Sequence, residues 1–416
     1  MLTTRPIRSG ASLASLAIAG TIGGGLEVLA WRSPAGIAYE ATWLLAQSSP
    51  VEVREVKRLG AGRRPGSVVL ADVDADRTTD LLVASLDDGT LTVWLGDGRG
   101  GFRVAPAGAV SLGPEPTDII TADFNRDGRL DVACANHETD HVSVLLGDGR
   151  GAFTPARGSP IRVQSKPHPH GIAAADVDGD GRLDLVTESR DTSTIEILAG
   201  NGDGTFRNPG WLVPVATGPY HRLRAANLDG DGRFGIVVPS QASDTVTIVQ
   251  WGGAGTGDMN PRWRTTRMPV PRSPFALTAD DLDSDGRAEI AIAHFSGNLT
   301  NNSVLDGVSI AQRSGAEGWR TAASLLGKMR GRGPVAITTG NFLGTRRRLE
   351  VAVVNLGTHD VELFLFDTGR LRAITPSIPV GEGPLDIAAA DLDGDGIDEI
   401  VTADSGANSV SVIFLN

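Results

Sequence analysis

One acidic stretch of the chain has the composition of a metal-binding loop. Asp176, Asp178, Asp180 and Asp184 occupy positions 1, 3, 5 and 9 of a nine-residue segment, and a glycine stands at position 6. Calcium takes roughly six to eight oxygen ligands and suits a flexible acidic loop with a glycine at its sharp turn. Carboxylates this close together repel one another unless a cation lies between them. The segment therefore predicts a calcium site.

The residues that follow distinguish this loop from an EF-hand. An EF-hand loop closes with a glutamate at about position 12 and lies between two helices. Here Thr187 stands at that position, and the loop runs into the β-favouring residues Leu185 and Val186. The sequence therefore predicts a calcium loop that joins two strands.

The acidic pattern recurs along the chain. Besides the copy at residue 176, recognisable copies begin at residues 72, 123, 227, 281 and 391, and a degenerate copy begins at residue 341. Successive starts lie between 50 and 60 residues apart. A repeat of this length indicates a propeller or a solenoid.

Four copies keep an oxygen donor at every ligand position, although one asparagine and two glutamates replace aspartates. The predicted ligands in these copies are Asp123, Asn125, Asp127 and Asp131; Asp176, Asp178, Asp180 and Asp184; Asp281, Asp283, Asp285 and Glu289; and Asp391, Asp393, Asp395 and Glu399. A backbone carbonyl at position 7 is expected to complete each set.

The remaining copies are weaker candidates. The first copy offers Asp72, Asp74, Asp76 and Asp80. Arg77 stands there in place of glycine, and an arginine resists the positive φ that glycine allows. The fourth copy has Gly235 at position 9, so it should bind calcium weakly, as should the degenerate sixth copy. We therefore expect calcium as the cofactor, at about four to six ions.

Each period contains more than its acidic loop. A strand follows the loop, then a small polar turn and a second alternating strand such as residues 142–146. A glycine hairpin that ends in an aromatic residue comes next, and further strands lead into the following loop. The pattern gives four short strands per period and no helical periodicity. Four-stranded units repeated radially are the blades of a β-propeller.

The acidic loops, in register with hairpins such as Gly147-Asp148-Gly149-Arg150-Gly151-Ala152-Phe153, resemble the FG-GAP/VCBS repeats of integrin α-subunit propellers and many bacterial surface proteins. The resemblance covers roughly residues 51–416. It implies a calcium-binding propeller of the integrin α-subunit-like, bacterial type. In such propellers the face opposite the calcium carries ligand-binding loops. Propellers host many functions, so the resemblance does not by itself identify the activity.

The two ends of the repeat region predict how the ring closes. Residues 51–58 match the strand that ends each period, and residues 410–415 match the third strand of a period. Pairing these two segments would remove an exposed sheet edge. We predict an all-β fold: a seven-bladed β-propeller of four-stranded antiparallel blades over residues 51–416, closed by its N- and C-terminal strands.

Residues 1–48 have a different character and are predicted to be a signal peptide or a disordered leader. Arg5 and Arg8 precede an apolar stretch of small residues over 11–26, as in secretory signals. Candidate cleavage sites lie after Ala30 and near Ala46, and an uncleaved anchor is the alternative. The stretch is short for a membrane span. We therefore expect a secreted, periplasmic or cell-surface protein with no membrane span in the mature domain.

Composition narrows the choice of partners. The chain has 53 glycines and 23 prolines in 416 residues, which suits many tight turns. Its net charge of −12 arises largely in the acidic loops, and bound calcium would offset it, so the charge indicates no basic partner. No basic patch with interleaved aromatics is present, which argues against nucleic acid. Cys134, the single cysteine, lies in an apolar strand and is interpreted as a core residue.

The histidines supply a second signal. Strands alternate in direction within a blade, so the loops between strands 2 and 3 and between blades lie opposite the acidic loops. All seven histidines fall at or beside those opposite segments. The predicted ligand-binding residues of this face are His137, Glu138, His168, His170, Tyr220, His221 and Arg222. The alternative is that exposed loops simply collect polar residues.

Three classes of function remain open. The first is a non-catalytic, calcium-stabilised binding or adhesion module that recognises protein or glycan, acting as a monomer. The second is a carbohydrate-active enzyme resembling propeller polysaccharide lyases, for which His170, His221 and Glu138 are the acid/base candidates. The third is a structural spacer. No nucleophile triad, phosphate loop or HExxH motif is recognisable, so no catalytic residue is assigned.

Overall fold

The computed structural model describes residues 51–416 apart from 165–167, 190, 254–262, 298, 300–305, 316–317 and 346–347, together with three short N-terminal segments. The chain divides into two compact units, residues 1–52 and 53–416. In the first unit, Ile18–Ile22, Leu26–Ser33 and Gly36–Ala38 form a three-stranded antiparallel sheet. The predicted leader over residues 1–48 lies mostly outside the described residues and stays a prediction.

The second unit is a ring of seven antiparallel sheets, numbered here as blades by the acidic loop that each contains. The strands of blade 1 are Pro65–Ala71, Asp80–Ser85, Thr90–Gly96 and Phe102–Val104. Those of blade 2 are Pro116–Ala122, Asp131–Asn136, His141–Gly147 and Phe153–Pro155. Those of blade 3 are Pro169–Ala175, Asp184–Ser189, Thr194–Leu198 and Trp211–Pro214. Those of blade 4 are Arg224–Ala226, Gly235–Ser240, Thr245–Trp251 and Trp263–Pro269.

The remaining blades follow the same order. Blade 5 contains Pro274–Asp280, Glu289–His294, Gly307–Ser314 and Gly318–Ser324. Blade 6 contains Pro334–Gly340, Glu350–Asn355, Asp360–Asp367 and Arg370–Ala373. Blade 7 contains Pro384–Ala390, Glu399–Asp404, Ser409–Leu415 and Val53–Gly60. Short strands Val110–Ser111, Ile161–Arg162 and Ile378–Pro379 pair with the third strands of blades 1, 2 and 6.

Helical structure is almost absent from the described residues. It consists of two 3-10 turns, Gln241–Ser243 and Ser405–Ala407, each between the second and third strands of its blade. Among these residues no helix has the length and apolar character needed to cross a membrane.

The ring closes as predicted. Val53–Gly60 lies antiparallel to Ser409–Leu415, with Gly60 opposite Ser409 and Val53 opposite Leu415. The first strand of each blade contacts the first strands of both neighbouring blades, so these seven strands surround a central channel. The predicted fold class, blade number and closure are confirmed, and the closing strand begins two residues later than expected.

The core lies between neighbouring blades, where alternating strand residues pack face to face. Between blades 1 and 2, Leu82 and Val93 meet Ile119 and Cys134, all of them almost fully buried. Cys134 is a free cysteine, and burial raises the pKa of its thiol well above the usual range. The interpretation of Cys134 as a core residue is confirmed.

A buried carboxylate ends the acidic loop in six blades and opens the second strand. In blade 3, Asp184 Oδ2 accepts a hydrogen bond from the Val177 N–H (3.1 Å), and Asp184 Oδ1 accepts one from the Gly200 N–H (3.0 Å). Blades 1 and 2 repeat both bonds through Asp80 and Asp131. The position-9 carboxylate therefore fastens its own loop to the end of the third strand, a structural role that spacing alone does not reveal.

Burial of these carboxylates changes their protonation. Desolvation is the largest cause, and it raises the pKa of Asp80 to about 6 and that of Asp184 to about 7. Burial likewise raises the pKa of Glu289, Glu350 and Glu399 to about 7. Hydrogen bonds from backbone N–H groups act in the opposite direction but do not cancel the effect.

Closure makes a testable prediction about thermal stability. A chain without residues 53–60 should melt at a much lower temperature, because the third strand of blade 7 becomes an unpaired edge and the ring loses its link. Differential scanning calorimetry of this deletion, compared with a chain lacking only residues 1–50, measures the effect. An equal melting temperature for both truncations would rule out closure as a main source of stability.

The raised pKa of Glu350 predicts an inverted pH dependence. A carboxyl group with a folded pKa of about 7 and an ordinary unfolded pKa binds more protons in the folded state, so its contribution to stability falls as pH rises between those values. Glu350→Gln should therefore raise the free energy of unfolding at pH 8 by about 1–3 kcal/mol and change it little at pH 5. Urea unfolding at both pH values measures this, with the exposed Glu382→Gln as control. A pH-independent effect would contradict the argument.

Candidate functional site

The acidic loops share one backbone design. In loop 3, Gly179 and Gly181, at positions 4 and 6, have φ of 77° and 83°. The Gly181 N–H donates to Asp176 Oδ2 at 2.8 Å, and the Asp180 N–H donates to Asp178 Oδ1 at 3.1 Å. These turns direct the carboxylates at positions 1, 3 and 5 toward one point. Their oxygens lie within 4.8 Å of one another in loops 3 and 5.

Loop 1 keeps this design in spite of its arginine. Arg77 adopts a φ of 71°, and its N–H donates to Asp72 Oδ2 at 2.9 Å, as the Gly128 N–H does to Asp123 Oδ2 in loop 2. A left-handed arginine costs roughly 1–2 kcal/mol relative to glycine. The structure therefore retains the turn that the sequence led us to doubt. Oxygens of Asp72, Asp74 and Asp80 converge within 4.8 Å.

Side chains already link three of the loops to other strands or loops of the ring. In loop 4, Arg313 of blade 5 forms an ion pair with Asp229. In loop 6, Asn341 Nδ2 donates to the Gly396 carbonyl at 2.6 Å, so the first donor of this loop is engaged with blade 7. In loop 7, Arg54 of the closing strand contacts Asp393, and its Nη1 lies 3.5 Å from Asp395 Oδ2.

The donor set of the well-formed loops suits a hard cation. The converging atoms are all oxygens, which is the ligand type that calcium uses. Asp283 Oδ1 in loop 5 is buried without a hydrogen-bond partner among the described residues. Burial first, and the neighbouring carboxylates next, raise the pKa of Asp178 and Asp283. Loops 3 and 5 therefore fit a calcium ion, and loops 1, 2 and 7 present the same oxygen chemistry.

The opposite face carries a second candidate site. A cavity of about 370 Å³ is lined by residues from three consecutive blades, which are His137, Glu138, His168, His170, Asp191 and Tyr220. His137 and Glu138 follow the second strand of blade 2, and Asp191 follows that of blade 3. The others stand where the chain enters blades 3 and 4. Topology brings these residues together because blade entries and 2–3 turns share one face.

Aromatic and imidazole rings continue the site around the rim. Consecutive ring centroids lie between 4.1 and 5.3 Å apart along the series His168, His137, His170, Tyr220, His221, Phe275 and Phe295. The series passes from blade 2 to blade 5. His170 and the two phenylalanines are buried, whereas His137, His168, Tyr220 and His221 are partly accessible. The rim thus presents a continuous series of aromatic and imidazole rings, some of which are accessible to solvent.

Several rim residues have an uncommon backbone conformation. Glu138, His168 and His221 are left-handed, with φ of 58°, 76° and 57°. Such values in non-glycine residues cost about 1–3 kcal/mol each and persist only where the surroundings impose them. The rim side chains are therefore held in position by the backbone.

The structure does not bring Arg222 to this rim cavity. Its side chain is almost fully buried in the central channel, where it forms an ion pair with Asp386 and its Nε lies 4.0 Å from Asp118 Oδ1. Its Nη2 donates to the Gly66 carbonyl of blade 1 at 3.1 Å. Burial lowers the pKa of Arg222 to about 10. Arg222 thus connects blade 4 with blades 1 and 7 across the channel.

Sequence reasoning did not identify four residues of this face: Glu115, Asp191, Phe275 and Phe295. Glu115 lies in the turn that enters blade 2, and its Oε2 is 2.9 Å from His137 Nδ1. Phe275 and Phe295 are buried beneath the rim and resemble ordinary core residues in the sequence. Their position in the repeat could have identified them, because all four lie at blade entries or just after second strands.

Comparison with known proteins agrees with the repeat structure. The model of the FG-GAP-like repeat matches residues 72–134, 123–187 and 347–402. No curated protein matches the chain.

Solved structures share the fold at low identity. A BBS1N chain in complex with ARL6DN is 13% identical with a TM-score of 0.58, and the match covers 88% of this chain and 98% of that one. A protein from Lactobacillus plantarum is 14% identical with a TM-score of 0.53, covering 88% of this chain and 95% of that one. A chain of a mitotic checkpoint complex is 11% identical with a TM-score of 0.56, covering 90% and 95%. Together with the blades described above, the solved structures show a seven-bladed β-propeller, and the family model shows FG-GAP-like repeats over residues 72–187 and 347–402.

Proposed function

We propose that this protein is a calcium-stabilised, non-catalytic binding module that acts outside the cell or at its surface. It recognises a protein or glycan partner with the rim opposite the acidic loops. One observation carries the proposal: the converging carboxylates lie in the 1–2 loops, whereas the cavity and the ring series lie in the blade entries and 2–3 turns. The ion and the partner therefore occupy different faces.

Calcium has a structural role in this proposal. Loops 2, 3 and 5 hold one ion each, loop 1 a further one, and loop 7 binds calcium only when Arg54 leaves its carboxylates. Loops 4 and 6 bind little, because Arg313 already pairs with Asp229 in loop 4, and Asn341, the first donor of loop 6, already bonds the Gly396 carbonyl. Calcium bound to the folded loop stabilises by mass action, at about 2.7 kcal/mol per site at a hundredfold excess over Kd. Affinities on the order of 10⁻⁴–10⁻³ M suffice outside the cell.

The double variant Asp178→Asn, Asp180→Asn distinguishes the contribution of the bound ion to stability from that of the hydrogen bonds within the turn. Asparagine retains the side-chain oxygens that accept the Asp180 and Arg182 N–H bonds but removes both charges. In calcium the variant should be less stable than wild type by about 1–3 kcal/mol and carry one ion fewer. In chelator it should be equally or more stable, because the repulsion is gone. Chemical denaturation and metal analysis in both buffers measure these effects.

The matched control is Asp203→Asn in the glycine hairpin of the same blade. Asp203 is exposed, and its Oδ1 accepts the Thr205 N–H, a bond that asparagine keeps. This control should behave as wild type in both buffers. A loss of stability in the double variant that is equal with calcium and with chelator would show that the loop carboxylates act without a metal.

The rim has the chemistry of a recognition surface. It combines accessible ring faces with hydrogen-bonding imidazoles and the exposed carboxylates of Glu138 and Asp191, on a backbone that is already constrained. Binding pockets typically combine apolar or aromatic walls with a few well-placed polar groups. The related BBS1N fold was crystallised with a protein partner, ARL6DN, which is compatible with a protein ligand for this chain.

Glycan arrays and pull-downs from cell-surface extracts, run with calcium and well below the melting temperature, test the binding face. Tyr220→Ala should abolish capture, because it removes the ring between His170 and His221. The Asp178→Asn, Asp180→Asn variant should retain it. Phe234→Ala removes an exposed aromatic in acidic loop 4 and serves as the control.

Two outcomes would reject the proposal. The first is that the Asp178→Asn, Asp180→Asn variant loses partner capture at an unchanged melting temperature while Tyr220→Ala retains capture. That result would assign the partner to the calcium face. A glycan that is shortened rather than retained would identify the rim as the active site of a carbohydrate-active enzyme, with His170, His221 and Glu138 as the residues to replace next.

A further inference from the structure

We propose that His137, Glu138 and His168 form a binding site for a divalent transition-metal ion of the zinc type, on the face opposite the acidic loops. The site goes beyond calcium and partner recognition, since it requires neither. Its three donor atoms come from two segments that are distant in sequence, the 2–3 turn of blade 2 and the entry to blade 3.

The donor atoms already have nearly the required spacing. Glu138 Oε1 lies 3.8 Å from His137 Nε2 and 3.5 Å from His168 Nδ1, and all three atoms lie within 4.8 Å of one another. Bonds of about 2.0–2.1 Å in a tetrahedral zinc site place neighbouring donors about 3.3–3.5 Å apart. The two contacts to Glu138 are close to this value. The glutamate side chain is 60% exposed and can adjust without disturbing the core.

A second carboxylate fixes the orientation of His137. Glu115 Oε2 lies 2.9 Å from His137 Nδ1, so the ring donates its Nδ1–H to Glu115 and turns the lone pair of Nε2 toward Glu138. A histidine that binds a metal almost always donates its other N–H to a carboxylate, carbonyl or water. The Glu115–His137 pair is therefore the arrangement expected of a ligand and its supporting group.

The third donor atom is His168 Nδ1. It is buried without a hydrogen-bond partner among the described residues, although Glu138 lies 3.5 Å away. A buried polar nitrogen without a partner costs about 1–3 kcal/mol, and a metal ion would remove that cost. Three electron-rich atoms thus lie close enough to share one ion.

The backbone holds the two segments together. The His137 N–H donates to the Glu115 carbonyl at 2.9 Å, and the His168 N–H donates to the Thr139 carbonyl at 3.3 Å. Glu138 and His168 also adopt left-handed conformations that are uncommon for residues other than glycine. The His168 bond therefore joins the entry of blade 3 to the 2–3 turn of blade 2 before any ion binds, and the His137 bond fastens that turn to the entry of blade 2.

The donor types select the class of metal. Imidazole nitrogens suit zinc, copper, iron and nickel, whereas calcium takes oxygen ligands. Three protein ligands leave a fourth position, which faces the cavity that Asp191 and Tyr220 also line. An open position of this kind accepts water or an oxygen atom of a bound ligand. The site is thus distinct in chemistry from the oxygen-only loops on the other face.

Cobalt and zinc titrations of the full chain in saturating calcium test the inference, because calcium then blocks the acidic loops. Wild type should bind one Co²⁺ per chain, with the intense visible bands of a four-coordinate ion, and one equivalent of Zn²⁺ should abolish those bands. Glu138→Gln and His168→Ala should weaken binding at least tenfold. Glu115→Gln should weaken it about 10–100-fold, as loss of a supporting carboxylate does elsewhere.

His359→Gln is the control, since His359 lies at the equivalent turn of blade 6 and accepts a hydrogen bond from the Gly383 N–H. It should leave cobalt binding unchanged. The proposal is overturned if wild type binds no Co²⁺ in saturating calcium, or if Glu138→Gln, whose exposed side chain carries little folding risk, binds as wild type does. Neither result depends on the partner, so the inference and the proposed function can fail separately.

Discussion

Carboxylates of like charge are crowded at the junction between the first and second strands of most blades, and one of each group is buried. Two unit charges at 4 Å interact by roughly 1 kcal/mol in water and roughly 4 kcal/mol near a protein surface. The buried member cannot be released, because it fastens the loop to the third strand. The repeat therefore places repelling charges in most blades, and each of these blades must neutralise them.

The blades differ in those ways. Arg313 and Arg54 bring a cation from a neighbouring strand to loops 4 and 7. Loop 6 has lost most of its acidic residues, and Glu350 remains with a pKa raised to about 7 by burial. Loops 3 and 5 each have three converging carboxylates, and the charge of Arg348 from blade 6 partly offsets those of loop 5. The need for an external ion is therefore uneven around the ring, although the repeat is regular in sequence.

The effect of one loop reaches its neighbours through the innermost strands. Asp386 Oδ2 of blade 7 accepts the Val68 N–H of blade 1, and Asp118 Oδ2 of blade 2 accepts the Ile172 N–H of blade 3. Arg222 adds an ion pair with Asp386 across the channel. A loop that tightens its first two strands therefore acts on a strand that is hydrogen-bonded to the next blade. Such a closed ring has no terminal blade at which loosening could begin.

The sequence was sufficient for features that repeat and insufficient for features that occur once. Regular spacing of the loops predicted seven blades, and the pairing of residues 51–58 with 410–415 followed from which strand each end resembled. Arg77 was expected to resist the left-handed turn of loop 1, yet it adopts that turn. The remaining hydrogen bonds of the loop impose the conformation that glycine adopts freely. The positions of Glu115 and Arg222 depend on how neighbouring blades are rotated, and no local pattern contains that rotation.

The alternation of strand direction explains why two kinds of chemistry can coexist on one repeat. An acidic loop always lies at one end of its blade, whereas the 2–3 turn and the next entry lie at the other end. Residues at the second end are free of the electrostatic constraint that governs the first. Histidines and aromatic rings there can vary without loss of the loop that stabilises the blade. The converging loop carboxylates thus gather on one face and the imidazole rings on the other, where side chains of three blades line a common cavity.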